Sequence, residues 1–236
     1  MTKHSRTIQT SQDELLRYLE EGSPFALWNP VEKRELVRNA HDIHLSQGQA
    51  LYRQGDTAKY VYFVVSGSVK VFVSSVDGDE AIIDIAGKGQ WVGELSIIDR
   101  QPGQHSVIAL EPTHCIGFSE HTINSIMQAN PAHYHGITLL LCKHLRSLFS
   151  WVAVSMLRSV NNRIYFRLQK LAFAMGTPQD NGFLIRTRIS QDLLAAMLGV
   201  TRQTLNKELA ELKQAGVVKK VGAYYWVRDT CVEGAS

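Results

Sequence analysis

The hydrophobic residues of this 236-residue chain keep one period in its first half and another in its second, and that change of rhythm limits the possible folds more than any other feature. From Ala40 the apolar residues come in short alternating runs. "YVYFVVSGSVKVFVSS" places Val69, Val71 and Val73 on one face; "EAIIDIAG", "HSVIAL" and "THCIGF" follow, separated by Gly55-Asp56, Gly67, Asp77-Gly78, Gly87, Gly89 and Pro102-Gly103. Many short strands between turn residues predict a sandwich or barrel. From Pro131 the spacing becomes three or four: Ile137, Leu141, Leu145, Leu148, Val152 and Met156 form a stripe that ends near Asn161-Asn162. A helix of roughly 25 residues, against a usual length of about 11, needs something to cover that stripe. Part of it is expected to pack on its own barrel. The rest is expected to meet a twin helix of a second subunit in a parallel coiled coil, since Leu140, Cys142 and Phe149 widen the apolar surface beyond one seam.

Capping signals place the remaining elements. Ser11 with Glu14 is a capping-box pattern before Leu15, Leu16 and Leu19, and Asn29-Pro30 is an N-cap followed by proline at the first helical position. After Asn162, "RIYFRLQKLAFAMG" reads as an amphipathic helix stopped by Gly176, "TPQDNG" as a turn and "FLIRTRI" as a short strand. "SQDLLAAMLG" is a helix capped by Ser190 with Gly199 past its end, Thr201 caps the next helix, Gly216 ends it, and "VVKKVGAYYWVRD" alternates around Gly222 as a hairpin. Helix, tight turn, helix, hairpin is a winged helix-turn-helix. The fold class expected is therefore α+β, with residues 1–24 an N-terminal helix and tail, 25–130 an antiparallel strand domain, 131–160 a long dimerisation helix, and 161–236 the winged helix-turn-helix.

The net charge of +3 hides an asymmetry: residues 1–160 hold 14 Lys and Arg against 16 Asp and Glu, whereas residues 161–236 hold 11 against 6. The basic end suits a polyanion. Cys115, Cys142 and Cys231 are far apart and odd in number, which indicates neither a disulfide framework nor a clustered metal site. No run approaches roughly 18 consecutive apolar residues, and Met1 to Thr10 has no apolar signal core, so a soluble, cytoplasmic protein with no membrane partner is expected. Gly-Lys-Ser loops, paired catalytic carboxylates and nucleophile elbows are lacking, and the strands contain no His-x-His pair of the kind a cupin-type enzyme needs. A non-enzymatic binding protein is expected.

In "GVTRQTLNKELAELKQAG", Leu205, Leu209 and Leu212 recur at i, i+4 and i+7 and must face a core. Arg202, Gln203, Asn206 and Lys207 then project elsewhere, from the first two turns, the part of a recognition helix that reaches base edges. Arg clamps guanine O6 and N7, and Gln or Asn clamps adenine N6 and N7. Thr201, Thr204, Lys219 and Lys220 suit phosphates. In "MLGVT", Gly199 makes the bend, Val200 is the buried residue and Thr201 the cap. Double-stranded DNA is the expected partner.

The whole pattern resembles the cyclic-AMP receptor protein and its Fnr-type relatives, the Crp/Fnr superfamily of bacterial transcription regulators, over residues 25–230. "LYRQGDTAKYVYFVVSGSVKVF" is similar to the start of that family's beta-roll, a cyclic-nucleotide-binding-like jelly roll. "GKGQWVGELSIIDRQPGQHSVIALEP" resembles its phosphate-binding cassette, and "ISQDLLAAMLGVTRQTLNKELAELKQAGVV" matches its helix-turn-helix. The resemblance implies a homodimer on an inverted-repeat site, RNA polymerase as a further partner, and control by a small effector that shifts a hinge near Val160 to Asn162.

Two departures from the family matter. The recognition helix usually carries Arg, Glu and Arg where this chain has Arg202, Gln203 and Lys207. The cassette, which runs through Trp91, keeps Gly93, Glu94 and Leu95, whose glutamate takes the ribose hydroxyl in relatives; the phosphate-binding arginine is replaced, either by Gly103 with Gln104 after it or by Gln104 with His105 after it. Burying a phosphate without its cation costs several kcal/mol. Leu148 and Phe149 fall where relatives place hydroxyl residues against adenine. An effector of unknown identity is expected, with cyclic nucleotide and haem both disfavoured; a ligand-independent regulator whose own side chains fill the pocket, and a cyclic-nucleotide-responsive one with an unusual phosphate site, remain alternatives. Residues 1–40 lack the cysteines of oxygen-sensing relatives. Of the paired histidines, His41 and His44 point to opposite faces of a strand, His133 and His135 belong to "HYH", and His105 alone is a candidate ligand contact.

Overall fold

The computed structural model of the chain describes residues 10–20, 23–57 and 59–229; Cys231 and the polar N-terminus before Thr10 lie outside them. Two compact units result, one of residues up to 80 with 86–148, the other of 81–85 with 149 onward.

The first unit opens with α1 (Gln12–Tyr18) and α2 (Pro30–Arg38). Ser11 accepts from the Glu14 amide, but the Glu14 carboxylate accepts from the Tyr18 hydroxyl at 2.7 Å instead of turning back. Asn29 makes the full reciprocal capping box with Glu32. Strands β1 (Ala40–Leu45), β2 (Ala50–Tyr52), β3 (Tyr60–Ser66), β4 (Ser68–Ser74), β5 (Glu80–Gly87) and β6 (Trp91–Val92) follow, then α3 (Glu94–Asp99), β7 (Ser106–Ala109), β8 (Thr113–Ser119) and α4 (Glu120–Ala129). They form two four-stranded sheets, ordered β1-β8-β3-β6 and β2-β7-β4-β5, in which β8 pairs antiparallel with β1 and β3, β3 with β6, and β7 with β2 and β4.

Ile43, Tyr62 and Val64 of the first sheet pack with Val69, Val71 and Val107 of the second. The opposite face of the first sheet is covered by Leu15, Leu19, Leu36, Ile123 and Ile137 from the helices, against Val61, Phe63 and Phe118. A sheet covered on both faces buries consecutive residues, which is why Val61 to Val64 are all buried. On β4, Val69 and Val71 are buried as expected; Val73 is only half-buried, and Phe72 is buried as well. Gly67, at φ +79°, makes the turn between β3 and β4, and a Cβ there would meet the Pro112 carbonyl oxygen at 2.6 Å.

Helix α5 (Tyr134–Leu157) ends earlier than the apolar stripe suggested. The chain restarts at Ser159, whose hydroxyl caps α6 (Val160–Met175) through the Asn162 amide at 3.4 Å, so Asn161 and Asn162 lie in a first turn instead of a break. Ile137 is the one α5 residue fully buried, with Leu140 and Leu141 packed beside it. Leu145, Leu148, Phe149, Val152 and Met156 are exposed. The expected packing of part of the stripe on its own barrel is thus present.

The second unit continues with β9 (Gly176–Gln179), β10 (Gly182–Ile185), α7 (Gln191–Leu198), α8 (Arg202–Gln214), β11 (Val218–Val221) and β12 (Tyr224–Arg228), its strands ordered β11-β12-β10-β9. Part of "TPQDNG" is strand, not turn; the reversal sits at Asp180, φ +51°, and Asn181. Asp84 joins this unit by pairing with Arg167 at 3.7 Å and Lys170 at 3.6 Å.

Candidate nucleic-acid interface and effector pocket

The recognition helix is built as its sequence requires. Leu205, Leu209 and Leu212 are buried, whereas Arg202, Gln203, Asn206 and Lys207 are exposed together. The Thr201 hydroxyl accepts from the Thr204 amide at 3.1 Å and lies 2.9 Å from the Thr204 hydroxyl. Gly199 takes φ +63° at the bend; Val200 beside it is half-buried, less covered than its place in the turn suggested.

Two residues that sequence reasoning missed hold this turn in place from α6. Arg163 donates to the Leu198 carbonyl, and Asn161 donates to the Glu208 carbonyl at 3.2 Å. Asp192 was also missed: it faces Arg202 at 3.3 Å, with both side chains solvent-exposed. Lys219 and Lys220 stand on β11 over the rings of Trp226 and Tyr225, at 4.7 and 3.9 Å. Burial, and then the charge of Lys213, pull Lys220 below the usual lysine range. The ammonium nitrogens themselves lie over the ring faces, a cation–π arrangement.

In the cassette the scaffold and the ligand chemistry part company. Gly93 is left-handed, φ +92°, where a Cβ would meet the Tyr60 carbonyl oxygen at 3.2 Å and the Tyr62 ring at 3.3 Å, so glycine is required to start α3. Glu94 is buried and accepts from or shares a proton with Nδ1 of His144, on α5, at 2.8 Å. The Tyr52 hydroxyl meets Nε2 of His105 at 2.7 Å. Burial lowers the His105 pKa, against an upward pull from Glu94 and with a further downward push from His144, and the imidazole is held neutral. Burial, and then Glu94, raise Tyr52 far above the ordinary phenol range.

Glu94 and His105 therefore converge, joined by Tyr52 and His144, for which no local sequence signal exists. Trp91 is buried in the aromatic core, 5.0 Å from Phe63 and 5.2 Å from Phe25. Leu95, Gln104, Leu148 and Phe149 are exposed. Gly103 is clamped to the Gly55-Asp56 turn by paired backbone bonds of 2.7 and 2.9 Å. Arg100, the nearest cation in sequence, is exposed in a left-handed C-cap. Burial pushes the Cys115 thiol up to about 12, which suits a core residue and not a ligand. His133 is likewise structural, buried and 2.8 Å from Glu32.

Comparison with known proteins follows the same division. Residues 42–130 match the cyclic nucleotide-binding domain family and residues 162–230 the Crp-like helix-turn-helix domain family. The chain is 24% identical over 195 residues to a CRP-like cAMP-activated global transcriptional regulator of Mycobacterium tuberculosis, covering 83% of this chain and 87% of that one. It is 28% identical over 173 residues to the cyclic AMP receptor protein of Thermus thermophilus, covering 73% and 77%. Among solved structures, the c-di-GMP-responsive global regulator CLP of Xanthomonas campestris shares the fold with a TM-score of 0.65 at 21% identity, over 86% of this chain and all of that one.

Proposed function

Because the chain belongs to the Crp/Fnr family of DNA-binding transcription regulators, which are not enzymes, we propose that it works as a homodimer on an inverted-repeat site, controlled by a small effector other than cyclic AMP. Residues 25–130 sense the effector, 131–160 pair the subunits and 161–236 bind DNA. The exposed apolar stripe of α5 supports the pairing. The segment Pro131–Leu157 is long and apolar enough to cross a bilayer, with mean hydropathy 1.3. Lys143 and Arg146 near its middle would each cost a few kcal/mol in lipid, and Ile137 already anchors it to the β-roll, so a partner helix suits it better. Two α8 helices related by the dimer axis then enter successive major grooves about 34 Å apart. RNA polymerase as a partner and a cytoplasmic location belong to the same reading.

The effector assignment rests on one observation: the carboxylate available for a ribose hydroxyl is engaged by His144, beside the His105 imidazole and the Tyr52 phenol, in a cassette whose sequence carries Gly103, Gln104 and His105 in place of the arginine. This surrounding favours a ligand without a buried phosphate. Calorimetric titration of the full-length protein tests it; no heat from cyclic AMP at concentrations well above those that saturate its relatives is expected, and tight binding would refute it. A second reading has its own support. The pairs Tyr52–His105 and Glu94–His144 satisfy the pocket's polar groups internally, as a ligand-independent regulator requires. Operator affinity that is already full in the purified, ligand-free protein would select that reading.

A further inference from the structure

One cluster of side chains serves neither the recognition helix nor the cassette. Asp42 and His44 are two residues apart on β1 and so project from the same face. Across the antiparallel ladder His44 is in register with His114 on β8. These positions share their face with Ala40, Ile116 and Phe118, the side of the sheet that the helices cover. The two imidazole rings stack at 4.3 Å with 10° between their planes, and Nε2 of His114 lies 2.6 Å from Oδ1 of Asp42. One ligand atom from each of the three lies within 4.8 Å of the other two. Asp42 is buried, His114 half-buried and His44 exposed, so the group is anchored below and open to water above.

We propose that Asp42, His44 and His114 form a binding site for a divalent first-row transition ion of the zinc, cobalt or nickel type. Two imidazoles and one carboxylate suit such ions, whereas magnesium and calcium take oxygen ligands throughout. Ligand atoms about 2.0–2.1 Å from a tetrahedral ion stand roughly 3.3 Å apart. The His114–Asp42 contact needs to open by several tenths of an ångström to admit the ion, and the exposed His44 ring closes on it by rotation. The ion takes the place of any proton held between Nε2 of His114 and Oδ1 of Asp42, and that proton leaves to solvent. Thr10 already orients the carboxylate, its amide donating to Oδ2 at 3.1 Å and its hydroxyl to Oδ1 at 2.8 Å, the outer-shell support that metal ligands characteristically have. Three protein ligands leave at least one position to water, so the ion exchanges. Bound, it ties β1 to β8 and, through Thr10, to the start of α1.

The site escaped sequence reading because its ligands lie on two strands about 70 residues apart. His41 and His44 do diverge, as strand geometry requires, and the partner of His44 is across the ladder.

The full chain, stripped with a chelator, is titrated with cobalt(II) and followed by its visible ligand-field bands, then with zinc(II) by equilibrium dialysis. One equivalent per chain is expected, with zinc displacing cobalt. His44→Ala, which removes only the exposed ligand, should weaken binding at least about 10-fold and abolish the zinc-induced rise in thermal midpoint. His114→Gln should do the same, while His135→Ala, at an exposed position on α5, should bind as the parent does. Absence of binding by the parent, or binding that survives both His44→Ala and His114→Gln, would overturn the proposal and leave the DNA-binding reading untouched.

Discussion

The recognition helix and the phosphate cassette are built by the same means and have diverged differently. Each starts at a backbone position that few residues tolerate: Gly199 at φ +63° before α8, Gly93 at φ +92° before α3. At α8 the side chains presented by that scaffold, Arg202, Gln203, Asn206 and Lys207, are of the types suited to base edges, and they are exposed together. At α3 the scaffold is kept while the side chains around it differ: His144 holds Glu94, and Gly103, one of the two positions that can align with the family's arginine, is bonded to the Gly55-Asp56 turn. Backbone demands persist because φ +92° at Gly93 strains any residue with a Cβ, which would also crowd the Tyr60 carbonyl and the Tyr62 ring, whereas a side chain that touches only a ligand changes freely once the ligand changes.

The contrast can be broken at either end. The largest effect is expected inside the DNA-binding unit, where Leu209→Ala empties a fully buried position behind the recognition face and should cost about 2–5 kcal/mol in urea unfolding. Arg202→Ala should cost about 1–3 kcal/mol of operator affinity and relax preference at one base pair, measured by fluorescence anisotropy on single-base variants. Lys219→Ala and Lys220→Ala should instead weaken all sequences alike, each reducing the slope of log affinity against log salt by about 1. Base-specific loss at the lysines would reverse the roles given to the two groups.

At the cassette, burial lowers His105, so between its folded value and the ordinary histidine value of about 6.5 the unfolded chain binds more protons. Stability should therefore fall as pH drops through about 6.5 and level off below the folded value. His105→Gln should remove that part of the slope in urea midpoints measured across the range; an unchanged slope would mean that His105 is not held neutral. The smallest effect is expected at Asp192, whose exposed pairing with Arg202 is worth little. Asp192→Asn should strengthen operator binding a few-fold at most by freeing the guanidinium.

Much of the fold was legible because caps, turn glycines and apolar period are local. Ser190, Thr201, Gly199 and Gly222 sit where their residue types require, and the leucines of α8 are buried as their spacing requires. The end of α5 was misjudged because the Asn pair was read as the stop: the last stripe residue, Met156, lies inside α5, and Ser159, a strong N-cap, opens α6 two positions before Asn161. Trp91 was misplaced for a related reason. It lies in the cassette sequence, but alternation on β6 turns its ring into the core beside Phe63. The site residues that stayed hidden, His144 for Glu94 and His114 for Asp42, are 50 and 72 positions from their partners. Tertiary pairing at such distances leaves no periodic trace.

Selection of duplexes from a random pool by the full-length protein tests the central claim most directly. Enrichment of an inverted repeat with half-sites one helical turn apart, lost when Arg202 and Lys207 are both changed to Ala, is the predicted result. Enrichment of a single asymmetric site, or of no sequence at all, would contradict a paired recognition helix.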